Sequence, residues 1–118
     1  MTTPMLKFVS VAQKQPDKRT AQARRADFDE IYEDFAPAAA GVQASRCSQC
    51  GVPFCSVHCP LGNNIPDWLM LTAEGRLEEA YEVACAINTF PETCGGIGAQ
   101  DRLCEGSCVS EKRGESGT

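Results

Sequence analysis

The sequence predicts an all-α fold, a small helical domain with metal-binding loops between short helices. Three observations carry that prediction. Mostly apolar residues recur at helical spacing in three stretches: Phe28, Ile31, Tyr32 and Phe35; Ile65, Trp68, Leu69 and Thr72; Leu77, Ala80, Tyr81 and Ala84. Proline and glycine punctuate these stretches at Pro37, Gly75 and Pro91. Between the first and second stretch, Cys47, Cys50, Cys55 and Cys59 fall within thirteen residues, spaced x2, x4 and x3, and Pro60 follows the last.

Taken in order, residues 1–19 read as an extended, exposed arm. Leu6, Phe8, Val9 and Val11 give a short half-alternating apolar patch, and Gln13 to Arg19 is polar and interrupted by Pro16. Such an arm is expected to lie on a neighbouring domain or subunit. A helix is expected from Thr20, a suitable N-cap, to about Ala36, where Pro37 stops it; Arg24 and Arg25 then sit on a solvated face beside Asp27, Asp29 and Glu30. Pro37 opens a second helix, Ala38 to about Arg46, that delivers the chain to Cys47.

After Pro60 comes a turn, Leu61 to Asn64. Asn64 can cap the next helix, Pro66 suits its first turn, Asp67 favours its positive end, and Gly75 ends it. The following helix carries Leu77 to Ala84, and two short helices joined this tightly form an antiparallel hairpin, with Trp68 as its packing anchor. Cys85, inside that second helix, reads as a small buried apolar residue and not a ligand. Pro91 to Cys94 starts a short turn of helix, and Cys104 and Cys108 bring back two thiols at x3 spacing. Beyond Val109 the chain is too polar to pack.

At 118 residues the chain is long enough for one domain, with few large aromatic side chains to build a core. A net charge of −5 argues against nucleic acid or an anionic membrane as partner. No apolar run approaches the ~20 residues of a spanning helix, and none precedes the cysteines as a leader. The expected compartment is therefore the reducing cytoplasm.

Closely spaced thiolates on a folded-back loop can converge on one soft metal centre, and the later pair Cys104 and Cys108 can close its coordination. Eight cysteines would also permit four disulfides, which a cytosolic chain rarely keeps. Structural zinc also uses Cys-x2-Cys knuckles, but it wants two well-separated ligand pairs, whereas here the thiols crowd one loop. An iron–sulfur centre suits the pattern better, since Cys-Pro closes similar runs in bacterial ferredoxins, although their x2-x2-x3 spacing differs. Glycines near the sulfurs, Gly51, Gly62 and Gly106, are expected to free backbone N–H groups that would raise its potential. The lone His58 lies between two thiols and reads as an exposed or supporting residue, not a base or ligand. No Ser/His/Asp arrangement and no paired carboxylates stand at a meaningful spacing.

Three segments, Cys47 to Cys55, His58 to Leu69 and Gln100 to Val109, closely resemble the N-terminal iron–sulfur domain of the small (beta) subunit of bacterial NADPH-dependent glutamate synthase. Dihydropyrimidine dehydrogenase carries a similar domain. The resemblance covers roughly residues 20 to 110. It implies an α-helical ferredoxin-like fold holding two 4Fe-4S clusters, with electrons passing from NADPH through FAD and the clusters to an FMN where glutamate is made. It implies as partners the large subunit of glutamate synthase and the FAD- and NADPH-binding region of the chain's own subunit, and a fragment that is not catalytic alone. By position, the first cluster would use Cys47, Cys50, Cys55 and Cys108. The second would use Cys59, Cys104, a cysteine at the position of Gly98, and a Glu or Gln shortly after position 118; Cys94 is a possible substitute.

The chain departs from that pattern at Gly98. It also stops before the last ligand and before any glycine-rich FAD or NADPH fingerprint, so a longer parent chain is expected. The resulting division is an arm at 1–19, an iron–sulfur domain at 20–110, and a polar tail at 111–118 that begins a linker. Metal-stapled docking and service in another flavin-dependent oxidoreductase remain the alternative functions.

Overall fold

The computed structural model describes residues 5–110, so the polar tail and the first four residues lie outside the described residues. Among the described residues the chain forms a 3-10 turn at Lys7–Val9 and six helices: α1 Ala21–Ala26, α2 Pro37–Ala44, α3 Phe54–His58, α4 Ile65–Ala73, α5 Leu77–Cys85 and α6 Pro91–Ile97. No sheet forms among them; one isolated antiparallel bridge pairs Lys18 with Tyr32. The fold is all-α, and none of the described helices is long and apolar enough to cross a membrane.

The described part of the arm, residues 5–19, has no buried residue, as expected of an exposed segment, but hydrogen bonds tie it to its own domain. Leu6 donates its N–H to the Cys47 carbonyl at 3.0 Å, and Lys7 donates to that of Ser45 at 3.0 Å. The buried Arg46 donates through Nε to the Val11 carbonyl at 2.9 Å. Gln43 accepts from the Lys14 N–H and donates to the Ala12 carbonyl. Long side chains on and just after α2 thus answer backbone groups that the arm cannot pair internally. Met5 packs against the core.

The long helix expected over 20–36 does not form. Thr20 caps as predicted, its Oγ1 accepting from the Ala23 N–H at 3.3 Å, but α1 ends at Ala26 and Asp27 is extended. The reason is local. Asp27 takes a two-pronged bond from Arg19 and accepts the Asp29 N–H at 3.0 Å, while the Glu30 carboxylate accepts that of Ile31 at 2.9 Å. Acidic side chains so placed compete with the helix for its donors. Arg19 N–H then reaches the Ile31 carbonyl and Glu33 N–H that of Asp17, folding the segment back on the arm. Phe28 is left fully exposed, Ile31 and Tyr32 are exposed, and Phe35 is half-buried, so the expected apolar face is absent.

The α4–α5 hairpin forms as expected. Pro66 sits in the first turn of α4, and Gly75 (φ 78°) closes it. Gly75 N–H donates to the Thr72 carbonyl and Arg76 N–H to that of Leu71, the paired bonds of a Schellman stop that needs a left-handed residue. Asn64 occupies the N-cap position without capping; its amide donates to Asp67 Oδ2 at 2.6 Å. Its neighbour Asn63 is buried and donates to the Ala84 carbonyl at 2.9 Å, fastening the turn after the cysteine run to α5. α4 also packs on α2 and α3. The core joins Ala44, Cys47, Cys55, Ile65 and Leu69, with Trp68, Ala73, Cys59 and Cys104 against it.

Candidate metal centre

Three chain segments deliver the thiols. Cys47 follows the end of α2 and is buried; Cys50 is half-buried on the loop. Cys55 is buried in α3, a short helix inside the cysteine run that the spacing had suggested would be a plain loop. Cys59 ends α3, its N–H donating to the Cys55 carbonyl at 3.1 Å. Cys104 and Cys108 come from a succession of turns after α6, with Cys108 N–H donating to the Glu105 carbonyl at 3.1 Å. Cys47, Cys50, Cys55 and Cys108 line one pocket together with Ser48, Phe54, Pro66 and Val109.

Burial dominates the electrostatics of this pocket. It pushes the Cys47 thiol up, and the neighbouring Cys50 and Cys108 add to that; hydrogen bonds from Gln49 oppose it. Burial raises Cys55 as well, reinforced by Cys47 and Cys108 and opposed by Ser56. Thiols that repel one another as anions call for positive charge among them, which a metal centre supplies. All the donors are sulfur, a soft set suited to iron–sulfur or zinc. Among the described residues no three Cys, His, Asp or Glu side chains meet closely enough to share a single ion. The four thiols line one pocket, and such a set could hold a centre in which each thiolate binds its own iron.

The second expected set is incomplete. Cys59 and Cys104 both pack against the core, and burial first, then the charges of Glu105 and Cys59, raises the Cys104 thiol. Cys94 is exposed on α6 and outside that packed group; the buried Asn88 donates to its sulfur at 3.3 Å. Gly98 offers no ligand, and a Cβ there would stand 2.4 Å from the Cys94 carbonyl oxygen. Of the expected second set, Cys59 and Cys104 pack together against the core, and position 98 has no side chain to offer.

The remaining candidates are peripheral. His58 is exposed, with Nδ1 2.9 Å from the Phe54 carbonyl of its own helix. Cys85 is half-buried, less enclosed than expected, and its proximity pushes the Tyr81 hydroxyl up. Trp68 packs half-buried against the core, as its anchoring role requires. Two of the three glycine N–H groups expected near sulfur are otherwise engaged: Gly62 donates to the Cys59 carbonyl at 2.9 Å and Gly106 to that of Gln100 at 3.1 Å. The N–H groups on Cys47 come from Gln49, which sequence reasoning missed because a glutamine in a loop carries no pattern.

Comparison with known proteins adds the family context. The family described as dihydropyrimidine dehydrogenase domain II, 4Fe-4S cluster, matches residues 24–117. The small chain of NADPH glutamate synthase from Azospirillum brasilense is 68% identical over 108 residues, covering 92% of this chain and 22% of the relative. Its counterpart in Escherichia coli K12 is 45% identical over 109 residues, covering 92% of this chain and 23% of the relative. A putative oxidoreductase of the same bacterium, AegA, is 45% identical over 99 residues, covering 83% of this chain and 15% of the relative. The chain thus spans about a fifth of the length of the curated relatives it matches.

Proposed function

The chain belongs to the dihydropyrimidine dehydrogenase domain II family of 4Fe-4S cluster domains, and from that premise we propose that it is the electron-transfer domain of a glutamate synthase small subunit. In this reading it relays electrons from NADPH and FAD, bound elsewhere in the enzyme, towards the FMN at which glutamate forms. The observation that carries it is the convergence of four thiols from three segments on one pocket. Cys47, Cys50, Cys55 and Cys108 are the ligands of one 4Fe-4S cluster. When bound, the cluster accepts and donates single electrons with little change of geometry.

The residues of this chain hold that centre, shield it and space it. α3 and α4 wall it from water on one side, and Cys55 and Pro66 are buried there. Phe54, about half exposed, lies at its outer edge, which keeps the path to a redox partner short. The partners are the large subunit and the flavin- and NADPH-binding region of the same subunit, and the compartment is the reducing cytoplasm. Higher identity to the Azospirillum small chain than to the putative oxidoreductase favours glutamate synthase over a related flavin enzyme.

Anaerobic purification with iron and sulfide analysis, followed by EPR after reduction, tests the reading. The expected result is a reducible four-iron signal that Cys50→Ser abolishes along with most of the iron, since metal binding and folding are coupled in so small a core. NADPH added to the domain alone should leave the cluster oxidised. Full iron retention in Cys50→Ser would refute the ligand set, and direct bleaching by NADPH would refute the role as a conduit.

A further inference from the structure

We propose that Gln49 is a positioning residue that sets the reduction potential of the cluster through Cys47, an inference that rests on the ligand assignment above. Gln49 is one of two described non-glycine residues with a left-handed backbone (φ 51°), a conformation an L-residue holds at some cost. The consequence of that conformation is visible at the sulfur. The Gln49 backbone N–H donates to Cys47 Sγ at 3.4 Å, and its side-chain Nε2 donates to the same atom at 3.4 Å.

The amide's second hydrogen goes to the Pro66 carbonyl at 2.8 Å. That carbonyl can only accept, so it fixes which end of the amide faces inwards and leaves the other N–H for the sulfur. Pro66 is buried in the first turn of α4, so the donor is anchored to a packed helix. Gln49 therefore presents two N–H dipoles to one ligand sulfur and is braced from outside the loop.

N–H donors on a ligand sulfur stabilise the state carrying more negative charge, which is the reduced cluster, and so raise the potential. Of the two, only the side-chain donor can be removed by substitution without changing the backbone. Gln49→Gly suits the left-handed conformation, keeps the backbone N–H and deletes the amide. Gln49→Glu keeps the shape and replaces the donor by an anion.

The experiment is an EPR-monitored redox titration of the wild-type protein and both variants, each with iron and sulfide analysis. Both variants should retain wild-type iron content and show a midpoint shifted to lower potential, Gln49→Glu further than Gln49→Gly. An unchanged midpoint in Gln49→Gly with iron retained would overturn the proposal. So would loss of iron from both variants, which would make Gln49 a strut of the loop. Absence of a reducible four-iron signal from the wild type would count against the electron-transfer reading itself, before Gln49 is touched.

Discussion

The Arg19–Asp27 pair shows how one carboxylate ends a helix that apolar spacing would continue. Arg19 Nη2 lies 2.6 Å from Asp27 Oδ2, and Arg19 Nη1 also donates to the Glu30 carbonyl at 3.0 Å. The Arg19 hydrogen bond, then the Asp29 N–H, holds the Asp27 carboxyl below its usual range. A carboxyl with a depressed folded pKa stabilises the fold above its unfolded value and loses that contribution as pH falls through the folded value. The movement of the Asp29 amide resonance that reports Asp27 should therefore have its midpoint below the ordinary aspartate value of about 3.9. A midpoint above that value would refute the assignment, and in Asp27→Asn the movement should vanish. Gln49 belongs to the same class of residue. Its role depends on a backbone angle and on Pro66, seventeen positions away, and neither can be read from the loop sequence.

At the scale of elements, the α4–α5 hairpin was legible and the 20–36 helix was not, although both stretches show the same apolar period. In the hairpin most local signals agree with the period: Pro66 and Asp67 start α4, Gly75 stops it, and Ile65, Leu69 and Ala80 are buried, although Asn64 does not cap and Leu77 and Tyr81 on α5 stay exposed. In the earlier stretch Asp27, Asp29 and Glu30 offered the backbone other partners, and that competition outweighed the spacing. The cysteine run was legible as a centre but not as a helix, because α3 is too short to show a period. This contrast has a measurable form. Leu69→Ala removes a side chain that is 6% exposed and should cost about 2–5 kcal/mol in thermal unfolding of the iron-loaded protein. Phe28→Ser should stay within about 0.5 kcal/mol, as for other surface changes, because the ring is fully exposed. A large loss from Phe28→Ser would restore the long helix.

For the molecule as a whole, core and metal centre are one object. Cys47 and Cys55 count among its buried apolar side chains, and Cys59 and Cys104 pack on the same cluster. The number of clusters is therefore also a statement about how the fold is held together. In the proposed assignment Cys47, Cys50, Cys55 and Cys108, which line one pocket, make one complete set. The second set has Cys59 and Cys104 in place, Cys94 exposed and bonded by Asn88, and glycine at 98. A cysteine at 98 would not fit without opening the turn after α6, because its Cβ would meet the Cys94 carbonyl at 2.4 Å, the same carbonyl that accepts the Gly98 N–H. Anaerobically prepared protein should therefore carry about four iron atoms per chain, the stoichiometry of a single four-iron centre. Cys59→Ser should leave that number and the EPR signal of the reduced cluster in place, whereas Cys108→Ser should remove both. A reproducible count near eight, falling to near four in Cys59→Ser, would show that Cys94 or another group completes a second centre and that the segment after α6 rearranges around it.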